Sequence, residues 1–308
     1  MSAVYQPRVA DRSSFVTVRG LRYHLRCWET PAGAGARADR PAPLLLCLHG
    51  WMDVSASYQF IVDALARRWR VVAPDWRGFG LSEALPCRET TDSYAFVDYL
   101  GDLDALIDAL SPQAPVRLVG HSMGGNVATL YAGIRPERVA GLVNLEGFGL
   151  AATEPADAGA RLRRWLDELR APVAFRGYPT LEAVAERLCA NNPRLPLPMA
   201  RFLAAHWARP DGDGFVLRAD PAHKRVNPVP YRVDEALACW RAVTAPVLWV
   251  ASTERSPMLR FTLTDEYRQR LTAFRRLTEV TVADAAHMLH HDQPARIAGL
   301  IEEFFRDD

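Results

Sequence analysis

The stretch Val116-Arg117-Leu118-Val119-Gly120-His121-Ser122-Met123-Gly124-Gly125 reads as a short buried strand that turns directly into a helix running to about Ile134. The turn has the form Gly-x-Ser-x-Gly, with glycines at 120 and 124 on either side of Ser122. Glycine has no Cβ, so the strand can reverse sharply into the helix and leave Ser122 exposed at the carboxyl end of the sheet in a strained backbone conformation. A simple Gly-rich turn is the alternative. The strand before and the helix after supply the context that a nucleophile turn requires, and they favour the catalytic reading of Ser122.

Working outward, Phe15 to Val18 and Leu21 to Leu25 read as two strands around the Arg19-Gly20 turn, after a polar tail to about residue 13. Residues 31 to 43 read as a loop, with an Ala/Gly/Arg-rich centre at 32 to 40. Leu44 to Leu48 is a continuous apolar run, too short for a helix and suited to a strand buried on both faces. The cycle recurs: a strand at Val71 to Ala73, a helix near Ser93 to Leu110, then the central strand and helix, then a strand at Val139 to Leu145. Parallel strands joined by crossover helices follow.

From about Phe148 to Ala245 the chain changes to helices rich in Arg, Trp and Leu, broken by prolines at 193, 196, 198, 210, 221, 228 and 230 and without an apparent buried strand. After Pro246 the alternation resumes, with strands at Val247 to Val250 and near Glu279 to Val282. Helices follow near Thr264 to Phe274 and from Pro294 to about Phe305. The expected organisation is one α/β core in two parts, residues 1–147 and 246–308, interrupted by a helical insertion at 148–245.

With 37 basic against 36 acidic side chains, the net charge favours neither nucleic acid nor an anionic membrane as partner, and a small-molecule substrate fits better. The five cysteines, at 27, 47, 87, 189 and 239, form no CxxC pair and are odd in number, which argues against a disulfide framework or a zinc site. Neither an apolar signal core nor a run of about 20 apolar residues is present, so a cytoplasmic protein without membrane insertion, monomeric or homodimeric, is expected.

Four motifs carry a resemblance to the α/β-hydrolase superfamily from about residue 15 onward. They are Leu48-His49-Gly50-Trp51, Asp75-Trp76-Arg77-Gly78-Phe79-Gly80-Leu81-Ser82, Gly120 to Gly125, and Ala286-His287 followed by Asp292-Gln293-Pro294. The resemblance implies a mostly parallel sheet of about eight strands flanked by helices, with the insertion as a helical cap. The capped serine hydrolase-like group is the most similar, through its acid position and Asn191-Asn192-Pro193 in the cap.

A serine hydroxyl needs a base, and the resemblance makes His287 that base rather than its neighbours His290 and His291. Two carboxylates compete for the third place. The more usual position follows the strand after the cap, where this chain has Ala251-Ser252-Thr253-Glu254-Arg255-Ser256 and no aspartate. The other follows the preceding strand, where Glu146, bounded by apolar strand and glycine, is the favoured choice over Glu254. The backbone N–H groups of Trp51 and Met123 are implied as the oxyanion donors, while His49 and the charges of the Asp75 to Gly80 loop are expected to hold loop shape. Trp165, Phe175, Tyr178, Phe202, His206, Trp207 and Trp240 either line an acyl pocket or pack the cap itself.

The expected activity is hydrolysis of a carboxylic ester or thioester through an acyl-enzyme, on a small to medium, mostly apolar acyl substrate. No metal or organic cofactor is implied. Epoxide hydrolases and haloalkane dehalogenases of this fold carry aspartate where this chain has Ser122, which sets those activities aside. Amide, lactone and carbon-carbon cleavage stay open, because fold and triad do not determine substrate. The rival from another class is a small-molecule receptor that uses the same pocket without turnover.

Overall fold

A computed structural model describes residues 3–31, 41–84, 93–254 and 257–306. The Ala/Gly/Arg-rich loop at 32–40, Cys87 and the dipeptide Arg255-Ser256 lie outside these residues.

The apolar runs become strands of one sheet, and both of its faces are covered. Strands β1 (Asp11–Val18) and β2 (Leu21–Glu29) form the antiparallel hairpin, with Arg19 and Gly20 both at positive φ in its turn. Strands β3 (Leu44–Leu48) and β4 (Arg70–Pro74) follow, with the one-turn helix α1 (Gln59–Val62) between them. Helix α2 (Phe96–Leu110) leads to β5 (Val116–His121), α3 (Met123–Ile134) and β6 (Val139–Leu145). Along β3, Leu46 and Leu48 join one core cluster with Leu103 of α2 and Val127 of α3, while Leu45 and Cys47 join the other with Ile61 of α1. Burial on both faces explains why these strands read as unbroken apolar runs.

Between β6 and the next strand of the sheet, the chain forms α4 (Ala158–Arg170), α5 (Leu181–Asn191), α6 (Leu197–Trp207) and α7 (Val233–Ala242). This segment was expected to be helical, yet it also holds a two-stranded antiparallel hairpin, β7 (Ala208–Asp211) and β8 (Gly214–Leu217). Its turn is Gly212-Asp213, with Gly212 at φ +55°, a two-residue connection of the kind that suits paired strands. The sheet then ends with β9 (Val247–Ser252), α8 (Asp265–Leu271), β10 (Leu277–Val282), α9 (Leu289–Asp292) and α10 (Pro294–Phe304).

The eight strands lie in the order β1-β2-β4-β3-β5-β6-β9-β10, and every neighbouring pair from β4 to β10 is parallel. The order reverses between β3 and β5, so the connections leaving them run to opposite sides and open a crevice at their carboxyl ends. Gly50-Trp51 and Ser122 occupy those two ends. The N-terminal residues are docked and not a free polar tail: the Tyr5 hydroxyl donates to Asp63 at 2.6 Å, and its ring meets the edges of Phe60 and Phe202.

Candidate active site

The turn at Ser122 forms because three backbones meet there closely. Ser122 stands at φ +50°, ψ −115° as the residue that caps α3, in a region costly for any residue with a Cβ. Its N–H donates to Leu145 O and its carbonyl accepts from Asn126 N–H, both at 2.9 Å, so β6 and the first turn of α3 hold the strained residue. A Cβ at Gly124 would stand 2.1 Å from Leu48 O, and one at Gly120 2.6 Å from Gly124 O, so no other residue fits either position without moving the backbone. Gly50 also lies against this turn: a Cβ placed on it would be 3.2 Å from Ser122 Cβ.

The structure brings Ser122, His287 and Glu146 into one line. His287 lies in the loop between β10 and α9, with its side chain about one-third exposed. Its Nε2 is 2.9 Å from Ser122 Oγ and its Nδ1 3.2 Å from Glu146 Oε2. A carboxylate oxygen accepts, so Nδ1 carries the ring proton and Nε2 presents its lone pair to the serine hydroxyl. Glu146 ends β6 at φ +58° and is buried. Its other oxygen accepts from the Ser252 N–H at 2.6 Å and the Ser252 hydroxyl at 2.9 Å. The other candidate, Glu254, instead pairs with Arg194 at an exposed position.

Trp51 follows the end of β3 by three residues, and Met123 opens α3 directly after the serine. The Trp51 ring is half-exposed, and its Nε1 donates to His223 O at 3.3 Å, reaching the inserted segment. His49 is wholly occupied with the backbone. Its Nε2 accepts from Trp76 N–H at 2.9 Å and its Nδ1 donates to Gly50 O at 2.7 Å, an arrangement that shapes the loop. The charges of the Asp75 to Gly80 loop do pair, but with other elements: Asp75 with His24 of β2, and Arg77 with Asp102 of α2. Burial opposes ionisation of Asp75, yet the His24 hydrogen bond and charge outweigh it and hold the carboxyl far below its ordinary range.

Three further residues support His287. His121 donates from Nε2 to His287 O at 2.8 Å, and burial first, then the neighbouring His290 and His287, keeps its imidazole neutral well below the usual pKa. Asp292 accepts from Ala286 N–H at 2.9 Å and from Asn192 of the inserted segment at 2.7 Å, tying that segment to the histidine loop. Ser252 is the third. The signal for Asp292 was available, since it stands just before the proline that opens α10, but its partner Asn192 is 100 residues away.

The inserted aromatics are used largely in packing. Trp240 lies among Trp249 and Phe274 beneath α3, Phe202 against Phe60, and Tyr178 in the cluster of α5 and α6. Trp207 donates to Asp53 at 3.1 Å. His290 and His291 are buried and do not bond the serine; among the described residues, Asp53, His121 and His290 each place one metal-ligating atom within 4.8 Å of the others.

Residues 43–294 match the sequence model of the α/β-hydrolase fold. The chain belongs to the α/β-hydrolase family. This α/β-hydrolase is 31% identical over 273 residues to a serine hydrolase-like protein of Danio rerio, a match covering 85% of this chain and 81% of that one. It is 28% identical to a 3-hydroxybutyrate-oligomer hydrolase of Cupriavidus necator, over 85% of this chain and 88% of the relative. Among solved structures, it resembles the thioesterase domain from the curacin biosynthetic pathway. That match has a TM-score of 0.83 and 26% identity, covering 96% of this chain and 99% of the other. No helix among the described residues is long and apolar enough to cross a membrane.

Proposed function

We propose that this α/β-hydrolase is a serine-dependent carboxylic ester hydrolase, of esterase or thioesterase type, that works through an acyl-enzyme on a small to medium, mostly apolar acyl substrate. The observation that carries this reading is the line from Ser122 Oγ through His287 to Glu146, with links of 2.9 and 3.2 Å.

In this account the Ser122 oxygen attacks the acyl carbon while His287 Nε2 takes its proton, and Glu146 stabilises the imidazolium through Nδ1. The negative charge that develops on the carbonyl oxygen is met by the backbone N–H groups of Trp51 and Met123, donors that require no reorganisation as charge appears. Collapse breaks the bond to the leaving alcohol or thiol, which takes the proton from His287. Water then attacks the acyl-Ser122 ester with His287 again as base, releasing the acid and restoring the serine. The half-exposed Trp51 ring beside the turn is consistent with an apolar acyl group. The segment at 148–245 acts as a cap over the crevice, and a cytoplasmic protein, monomeric or homodimeric, accords with the sequence.

The test is a panel of p-nitrophenyl esters from acetate to long chains, with amides and lactones alongside, on wild type and Ser122→Ala. Turnover of short to medium esters that falls about a thousandfold or more in Ser122→Ala is the expected result. Ester turnover that survives the substitution contradicts the proposal.

A further inference from the structure

Beside the Ser122 turn lies a set of buried polar groups that take no part in the proposed proton transfers, although one of them, His121, supports His287 through its carbonyl. Asp53, His121 and His290 are each at most 3% exposed. Asp53 Oδ2, His121 Nδ1 and both ring nitrogens of His290 have no hydrogen-bond partner. Asp53 Oδ2 and His290 Nε2 are 3.8 Å apart, too far for a direct hydrogen bond. Buried polar atoms without hydrogen bonds are costly, and such a concentration at one point calls for an occupant.

We propose that Asp53, His121 and His290 form a binding site for one divalent ion of the zinc class, separate from the reaction at Ser122. One ligand atom from each of the three lies within 4.8 Å of the others. A zinc ion about 2.0 Å from each would draw them to roughly 3.3 Å apart. Two imidazoles and a carboxylate suit zinc better than magnesium or calcium, which prefer oxygen ligands.

The surroundings already orient the ligands. His121 donates its Nε2–H to His287 O at 2.8 Å, which leaves Nδ1 as its free lone pair. A ligating histidine that spends its other N–H on a backbone carbonyl is the usual outer-shell arrangement of a metal site. Asp53 is oriented in the same way: its Oδ1 accepts from Val54 N–H at 2.8 Å, from the Ser57 hydroxyl and from Trp207 Nε1 at 3.1 Å, and Oδ2 is left for the ion. His291, with another unpaired buried nitrogen and its ring centroid 4.2 Å from that of His290, lies alongside.

The experiment uses full-length protein stripped with chelator and titrated with zinc chloride, read by calorimetry, by bound-metal stoichiometry and by melting temperature. One zinc per chain, and a melting temperature that rises with zinc, are expected in wild type, Ser122→Ala and His287→Ala. Asp53→Asn and His290→Gln, verified as folded by circular dichroism, should each weaken binding at least tenfold. Anomalous scattering at the zinc edge from wild-type crystals locates the ion directly and is expected to place it among the three side chains, even if both variants fail to fold. Absence of binding by wild type overturns the proposal, as does affinity unchanged in Asp53→Asn and His290→Gln. Loss of binding in His287→Ala also overturns it, because the ion would then sit on the proposed catalytic histidine. All these readouts are independent of ester hydrolysis, so failure of the site and failure of the proposed reaction are distinguished.

Discussion

At the residue scale the proposed reaction depends on Glu146. A carboxylate at positive φ, buried and held by the Ser252 N–H and hydroxyl, has its oxygens directed by the protein, one of them at His287. Replacing it with glutamine keeps the shape, removes the acceptor that sets the histidine tautomer, and should lower kcat about a thousandfold or more. Glu254→Gln, which breaks only an exposed pair with Arg194, should leave kcat within about twofold, since exposed ion pairs contribute little. Steady-state kinetics on the best ester of the panel checks both, and the opposite pattern would make Glu254 the acid. Glu146 was legible because an acidic residue between an apolar strand and a glycine has little structural reason to be there. Ser252 was not legible: its meeting with Glu146 depends on the parallel register that sets Leu145 beside Val250, which no local pattern reveals.

At the scale of elements, the inserted segment rests on the core where α7 crosses α3. A Cβ at Gly133 of α3 would stand 1.9 Å from the carbonyl oxygen of Cys239 in α7, so the two helices meet backbone to backbone. Gly133→Ala should therefore destabilise the protein by about 2 kcal/mol or more through overpacking. The contrasting change is Gly299→Ala in α10, at an exposed position with nothing within 4 Å of the new methyl, which should stabilise by about 0.5–1 kcal/mol. Urea denaturation midpoints that move in opposite directions would bear this out; equal shifts would not. The buried parallel strands were legible as apolar runs, because both faces of the sheet are covered. The hairpin of β7 and β8 was not, because its four-residue strands are largely accessible, lack alternation and sit among prolines, leaving only the Gly212-Asp213 turn as a signal.

At the scale of the whole molecule, buried histidines make the fold sensitive to acid. His223 of the inserted segment stacks between Phe79 and Tyr94, with ring centroids 3.9 and 3.7 Å away, and burial lowers its pKa to about 3. His206 is lowered to about 4 by burial and then by the Arg26 charge. Both groups take up a proton more readily when unfolded, at a pKa near 6.5. Their neutral burial therefore costs nothing above that pH, and stability is lost as pH falls from about 6.5 towards 4. With both protonated only in the unfolded chain, the loss near pH 5 is on the order of 2–3 kcal/mol per pH unit. Melting temperature should fall steeply between pH 7 and pH 5; a flat profile would show that these histidines are protonated in the fold. The attachment of the inserted segment through His223, Trp51 and Asn192 was invisible in sequence because each contact joins residues about 100 or more apart. The four core motifs were legible because each ends a strand at the same edge of one sheet. Labelling with a fluorophosphonate, followed by peptide mapping by mass spectrometry, tests the proposed role of Ser122 most directly. A single adduct on Ser122 is expected, absent in Ser122→Ala and strongly slowed in His287→Ala, whereas a folded wild-type protein with no adduct on Ser122 would overturn the serine mechanism.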